Sequence, residues 1–117
     1  RLRPLLGMPN ATRYLNRFEA AALADCDFRS SAEAAAALVA GGSARVIVTD
    51  GAHATTDACP LHVLTAHPPM VEPRRVTGAG DTFVAAHIAA EAHGHSRAFA
   101  LEAALQAAAT YVSGADA

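Results

Sequence analysis

The octet VTGAGDTF, residues Val76–Phe83, joins a proline-rich segment to an alanine-rich one. The preceding segment, Pro68–Pro73, excludes regular structure, because proline lacks a backbone donor and restricts the residue before it. The following residues predict a helix over Asp81–His93 that ends at Gly94, since alanine has the highest helix propensity and glycine commonly follows a helix. The octet is therefore predicted to turn an extended chain into a helix N-terminus.

This glycine turn has the composition of an anion-binding site. The N–H groups of Gly78, Ala79 and Gly80 are expected to be free of partners and to point at one spot. A helix N-terminus carries about half a positive charge, so it stabilises phosphate oxygens or charge that grows in a transition state. Asp81 beside it can take the proton of an attacking hydroxyl, as in phosphoryl transfer. The same spacing also fits a plain turn in which Asp81 is the N-cap.

Two common nucleotide-binding motifs do not account for the octet. A Walker A loop requires a lysine after the glycines, and none is present. A dinucleotide-binding fingerprint requires a third glycine, which is also missing.

The rest of the chain predicts strands alternating with helices. The β-branched run Arg45–Thr49 predicts a central parallel strand. Asn16 and Ser30 each precede a glutamate by three residues, which is capping-box spacing and predicts helices over 16–24 and 31–40. The other predicted elements are a strand over 11–15, an edge hairpin of strands over 54–58 and 61–66, and a last helix over 96–112. This order predicts a layered α/β fold.

The predicted sheet is too small for its helices. With the hairpin only at the edge, two or three strands offer too little apolar surface to cover with helices on both faces, so more sheet is expected upstream of residue 1 or in a partner chain. The open sheet edge accommodates either this chain's own missing strands or a second protomer, which makes a homo-oligomer one expected assembly. The N-terminal segment 1–7 contains no Met and lacks the apolar core of a secretory signal peptide. We therefore expect this sequence to begin inside a longer reading frame.

Composition excludes several classes of partner. Nine basic and eleven acidic residues give a net charge of −2, so neither nucleic acid nor an anionic membrane is expected as a partner. The apolar runs are too short to span a bilayer. Cys26 and Cys59 form no CxxC pair, which fits a cytoplasmic protein without disulfides or structural zinc. The six histidines have no metal-ligand spacing and are expected to be solvated.

Three motifs together resemble one family. Val76–Phe83 resembles the second signature of the ribokinase-like, PfkB-type carbohydrate kinases. Asn16–Ala20 resembles the family's Asn-x-x-Glu motif, and Val46–Gly51 resembles its strand that ends in Thr-x-Gly at the nucleotide site. The resemblance covers nearly the whole chain. It implies that residues 1–117 are the nucleotide-binding and catalytic C-terminal half of a three-layer α/β/α sandwich, without the N-terminal substrate-binding and lid part.

The resemblance implies ATP-dependent transfer of a γ-phosphoryl group to a primary hydroxyl of a sugar or nucleoside, with Mg²⁺. In that assignment Asp81 is the base and the turn Gly78–Gly80 is the anion hole. Asn16 and Glu19 help to place Mg²⁺ indirectly, although the same pair is also an ordinary capping arrangement. The residues assigned to the nucleotide are Thr49, Gly51, Thr77 and Gln106.

The sequence also departs from the family pattern. Arg75 stands where relatives carry Asp or Asn, and its guanidinium would repel a monovalent cation at that position. The residues of the segments Asn16–Ala20 and Arg75–Asp81 are most similar to those of the pseudouridine kinase branch of this family. Since no substrate-binding half is present, the chain alone is expected to be inactive. The alternative is a truncated, non-catalytic fragment or a degenerate nucleotide-binding module.

Overall fold

The computed structural model describes residues 12–114, which fall into two compact units, 12–65 and 66–114. Residue 11, where the first strand is predicted to begin, and segment 1–7 lie outside the described residues. The described strands are β1 (Thr12–Asn16), β2 (Arg45–Thr49), β3 (Thr55–Cys59) and β4 (His62–Ala66). The described helices are α1 (Arg17–Ala24), α2 (Ser31–Ala40), α3 (Ala79–Ala92) and α4 (Arg97–Ser113). The predicted order is confirmed, and the largest shift is at α3, which was predicted to begin at Asp81.

The four described strands form one sheet in the order β1-β2-β3-β4. The prediction that β2 is central is confirmed, and its residues Val46–Val48 are fully buried. Its pairing is parallel only with β1, because the tight connection after β2 returns the chain antiparallel as β3. The expected hairpin of β3 and β4 lies at the edge of this sheet.

The core of the first unit is built largely from alanines of the two helices. Ala20 of α1 and Ala34 of α2 are fully buried in one cluster with Val46 and Val48 of β2. Alanine suits this interface because it allows close approach of a helix and loses no side-chain entropy on burial. Phe28, in the connection between α1 and α2, supplies the large aromatic side chain of the cluster.

A forked ion pair joins the middle strands of the sheet. Arg45 of β2 donates from Nε and Nη2 to the two carboxylate oxygens of Asp57 on β3, at 3.0 and 2.7 Å. Asp57 is fully buried, so its charge requires a partner of this kind. The pair holds β2 and β3 in register across the sheet.

In the second unit, α3 packs against α4. The buried positions of α3 are Phe83, His87 and Ala90, whose spacing of four and three residues defines one helix face. The expectation that the histidines are solvated is wrong for His87, because it falls on this apolar face. Its ring stacks on Phe83 with 5.9 Å between centroids. No helix within residues 12–114 has the length and apolar character to cross a membrane.

Candidate active site

The glycine turn of the octet is built around Gly78, the N-cap of α3. Its φ is +97°, a conformation that residues with a side chain rarely adopt. A Cβ at this position would also lie 2.6 Å from the hydroxyl oxygen of Tyr111. Gly78 is thus required both by its backbone conformation and by the nearby tyrosine.

The sequence predicted three consecutive free amides in this turn, and the structure shows that this is wrong. The N–H of Ala79 donates to the carbonyl of Val76 at 3.0 Å, which closes a tight turn just before the helix. The first helical hydrogen bond runs from the Thr82 N–H to the Gly78 carbonyl at 2.9 Å. Within the described part of the chain, the amides that donate no hydrogen bond here are those of Gly78, Gly80 and Asp81.

Asp81 is the third residue of α3, and its side chain is exposed in the first turn. The alternative in which Asp81 is the N-cap is wrong, because Gly78 occupies that position and has no side chain with which to cap the helix amides. A carboxylate in the first turn is stabilised by the positive end of the helix. The arrangement therefore combines an exposed carboxylate with uncapped donors.

The space above the turn is open at Gly80. A Cβ built on Gly80 meets no atom within 4 Å, and the residue has no positive φ. Neither sterics nor backbone conformation therefore requires glycine here, although glycine costs helix stability relative to alanine. Such a position allows the close approach of a bound group to the backbone.

The segment before the turn is fastened to the end of α4 by contacts that the sequence did not reveal. The hydroxyl of Tyr111 donates to the carbonyl of Thr77 at 2.6 Å. Arg75 donates from Nε to the Tyr111 carbonyl at 2.7 Å, and its guanidinium lies 4.1 Å from the centre of the Tyr111 ring. Thr77, predicted to contact the nucleotide, is exposed beside this anchor.

In the first unit, the start of α1 places Asn16 and Glu19 in a reciprocal capping box. The Glu19 N–H donates to Asn16 Oδ1 at 2.7 Å, and the Asn16 N–H donates to Glu19 Oε1 at 2.9 Å. Both residues are exposed. The ordinary capping structure is therefore present, and it engages one of the two carboxylate oxygens of Glu19.

The turn that follows β2 lies beside this capping box. Thr49 is the register partner of Asn16, so these two residues are neighbours at the carboxyl ends of parallel strands. Gly51 has a φ of +57° and lies in a turn closed by the His53 N–H, which donates to the Asp50 carbonyl at 2.9 Å. The structure therefore brings Asn16, Glu19, Thr49 and Gly51 to one end of the sheet.

Arg17 links the two motifs of the first unit, and sequence reasoning missed it. Its Nε donates to Asp50 Oδ1 at 2.9 Å, and its Nη1 donates to the Phe28 carbonyl at 2.8 Å. The side chains of Arg17 and Asp50 are 26% and 10% exposed, so this ion pair is largely shielded from water. It ties the start of α1 to the Thr-Asp-Gly turn.

Gln106, the last predicted nucleotide contact, lies exposed on α4. Its amide nitrogen is 3.4 Å from the hydroxyl of Thr110 one helical turn away, a weak contact. The structure is thus compatible with the plain surface role that the sequence left open for Gln106.

Comparison with known proteins shows the class to which this arrangement belongs. The profile described as pfkB family carbohydrate kinase matches residues 12–117, and the chain belongs to that family. The mixed α/β fold of the described residues, with a four-stranded sheet and four helices, matches the ribokinase-like kinases, as the sequence predicted. No curated protein sequence matches the chain significantly.

Three solved structures illustrate the likeness. Phosphofructokinase-2 from Escherichia coli is 23% identical with a TM-score of 0.79, over 95% of this chain and 38% of that one. Ribokinase from Thermotoga maritima is 26% identical with a TM-score of 0.77, over 87% and 35%. A putative ribokinase II from E. coli, solved with ATP and Mg²⁺, is 26% identical with a TM-score of 0.73, over 86% and 32%. The chain thus spans 32–38% of the length of these kinases.

Proposed function

We propose that this chain supplies the base and the anion-binding turn of an ATP-dependent phosphotransferase that acts on a primary hydroxyl of a sugar or nucleoside. The observation that carries the proposal is the exposed carboxylate of Asp81 beside the uncapped amides and open space of the glycine turn. Membership of the pfkB carbohydrate kinase family supports it.

In the proposed reaction, the hydroxyl oxygen of the acceptor substrate attacks the γ-phosphorus of ATP, and Asp81 accepts the proton of that hydroxyl. The bond from phosphorus to the β,γ-bridging oxygen breaks, and ADP leaves with that oxygen. The amides of Gly78 and Gly80 point donors at the negative charge that grows on the phosphoryl oxygens, without reorganisation during the reaction. The amide of Ala79 has a different role, because its hydrogen bond to Val76 maintains the shape of the turn.

The nucleotide and its metal are assigned to the remaining predicted residues. Thr49, Gly51, Thr77 and Gln106 are proposed to contact ATP. Mg²⁺ bound with ATP would neutralise charge on the phosphate oxygens. Glu19 fits an indirect role in holding Mg²⁺, because the Glu19 carboxylate is exposed and the capping box uses only one of its two oxygens, Oε1. Mg²⁺ usually keeps several waters, through which Asn16 and Glu19 would act.

A monovalent cation is not part of the proposal. Arg75 places a permanent positive charge on the segment that leads into the turn, where its guanidinium stacks on Tyr111. A second cation there would be repelled. Pseudouridine is the first acceptor to test, because the resemblance of Asn16–Ala20 and Arg75–Asp81 is strongest to that branch of the family.

The test is phosphoryl transfer by the full-length gene product, with pseudouridine, other nucleosides and sugars as acceptors. Asp81→Asn should lower kcat by roughly 10²–10⁴-fold, the usual contribution of a general base, because it removes the proton acceptor with little change in shape. ATP affinity measured by calorimetry should change less than about twofold, since binding does not require the base. Asp27→Asn, which removes an exposed carboxylate between α1 and α2, is the matched control. Undiminished turnover by Asp81→Asn would refute the assignment.

A second candidate function is nucleotide binding without transfer. It is favoured by the capping box, in which the side chains of Asn16 and Glu19 are directed to each other's backbone. If the full-length product binds ATP but phosphorylates no acceptor, and Asp81→Asn changes neither property, this second candidate replaces the first.

A further inference from the structure

We propose that Tyr111 is a positioning residue, held in place by Arg75, that orients the Gly78 amide of the glycine turn. The inference rests on the proposed function, since it concerns one donor of the proposed anion hole. Tyr111 touches neither phosphate nor acceptor in this proposal and acts through the Thr77–Gly78 peptide group.

The Thr77–Gly78 peptide group couples the direction of a carbonyl to that of an amide. The carbonyl of Thr77 and the N–H of Gly78 belong to the same planar unit and, in a trans peptide, point in opposite directions. The described residues contain no cis peptide bond. The 2.6 Å hydrogen bond from the Tyr111 hydroxyl to the Thr77 carbonyl therefore also fixes the direction of the Gly78 N–H.

The Thr77–Gly78 peptide group needs such a restraint. Glycine has access to both signs of φ, so a peptide plane next to Gly78 can rotate more easily than one between two substituted residues. Thr77 is exposed, and water would compete for its carbonyl if the tyrosine hydroxyl were absent. The Gly78 amide would then spend part of its time pointed away from the anion.

Tyr111 is itself held rigidly. The Arg75 side chain contacts it twice, by its hydrogen bond to the Tyr111 carbonyl and by its stacking on the ring. The N–H groups of Arg74 and Arg75 both donate to the Val112 carbonyl, at 2.7 and 3.0 Å. These carbonyls belong to the last turn of α4, which favours a positive charge, and the Tyr111 carbonyl also accepts the N–H of the C-cap residue Gly114 at 3.0 Å.

The decisive experiment is Tyr111→Phe in the full-length product, since it removes the hydroxyl and keeps the ring that Arg75 covers. We expect kcat to fall about tenfold, less than the ~10²–10³-fold lost when an oxyanion donor is removed outright, because the amide is misdirected only part of the time. KM for ATP and for the acceptor should change less than about twofold, since the loss concerns the transition state. A structural defect alone would instead lower the active fraction and the unfolding temperature.

Two further variants sharpen the result. Ser113→Ala removes another hydroxyl of the same helix end, one that donates to the Thr110 carbonyl at 2.8 Å, and it should leave kcat unchanged. Arg75→Ala should reproduce the loss in kcat, and Arg75→Lys should restore it only in part, because lysine keeps the charge without the planar stacking group. Full activity of Tyr111→Phe, or equal losses in Tyr111→Phe and Ser113→Ala, would overturn the inference.

A second readout separates this inference from the proposed function. Labelling the full-length product with ¹³C-carbonyl threonine and ¹⁵N-glycine selects the NMR signals of Thr-Gly pairs, of which residues 1–117 contain only Thr77–Gly78, and the signal that is lost in Gly78→Ala identifies this pair. Tyr111→Phe should shift this signal and lower its heteronuclear NOE, whereas Ser113→Ala should not. If the wild-type protein and Asp81→Asn both lack transfer, the proposed function fails, and the Gly78 signal still decides the positioning role. An unchanged signal in Tyr111→Phe would exclude that role whatever the activity.

Discussion

The substitution Gly80→Ala should make the protein more stable and less active. The added methyl group meets nothing within 4 Å, and Gly80 has no positive φ, so the free protein accommodates alanine without strain. Alanine is better than glycine by about 0.8–1 kcal/mol in a helix interior, and we expect about 0.5 kcal/mol in this first turn of α3. In the full-length product, which the activity assay requires, that corresponds to a rise in Tm of roughly 1–2 °C, less than in a domain of 117 residues.

The same methyl group would occupy the open space where the proposed anion approaches the Gly80 amide. Holding a phosphoryl oxygen about 1 Å farther from its donor should cost roughly 10–100-fold in kcat/KM, comparable to the loss of one donor. Both quantities are measured on the same preparation, stability by circular dichroism during heating and activity by a coupled ADP assay. Gly41→Ala, at the end of α2, is the control for a glycine replacement away from the turn. Unimpaired transfer by the stabilised Gly80→Ala variant would refute the reasoning that ATP approaches this position.

Two other substitutions test the framework of the site by urea unfolding. Gly78→Ala should lower the free energy of unfolding by about 1–3 kcal/mol, because it combines a positive φ with a clash against the Tyr111 hydroxyl. A smaller loss in a Tyr111→Phe background would confirm the clash, and an equal loss would exclude it. Arg17→Ala should lower the free energy of unfolding by about 1–3 kcal/mol, since it leaves the shielded Asp50 carboxylate without its arginine partner. Additive losses in a double-mutant cycle with Asp50→Ala would show that the two residues are not coupled and would contradict this prediction.

Local signals accounted for most of the secondary structure. Asn16 and Ser30 accept hydrogen bonds from the residues three positions ahead, as capping-box spacing predicts. The run Arg45–Thr49 is a central strand because its β-branched residues are buried on both faces of a sheet. These elements were predictable because a few neighbouring residues determine each of them.

The details of the candidate site depend on contacts between distant parts of the chain, and these were not predictable. Arg17 and Asp50 are 33 residues apart, and Tyr111 and Thr77 are 34 residues apart. No pattern within a single element reveals such pairs. The hydrogen bond that engages the Ala79 amide is local, but it depends on how tightly the chain turns at Val76, which glycine content alone does not specify.

The parallel pairing of β1 with β2 has a consequence for how the protein folds. The two strands are joined through α1 and α2, so Asn16 and Thr49 become neighbours only after that long connection has closed. Contacts of large sequence separation form late, because the entropy of loop closure is lost before they are gained. We therefore expect α1 and α2 to form before the end of the sheet where Asn16 and Thr49 meet, and during synthesis Thr49 must leave the ribosome before that end can form.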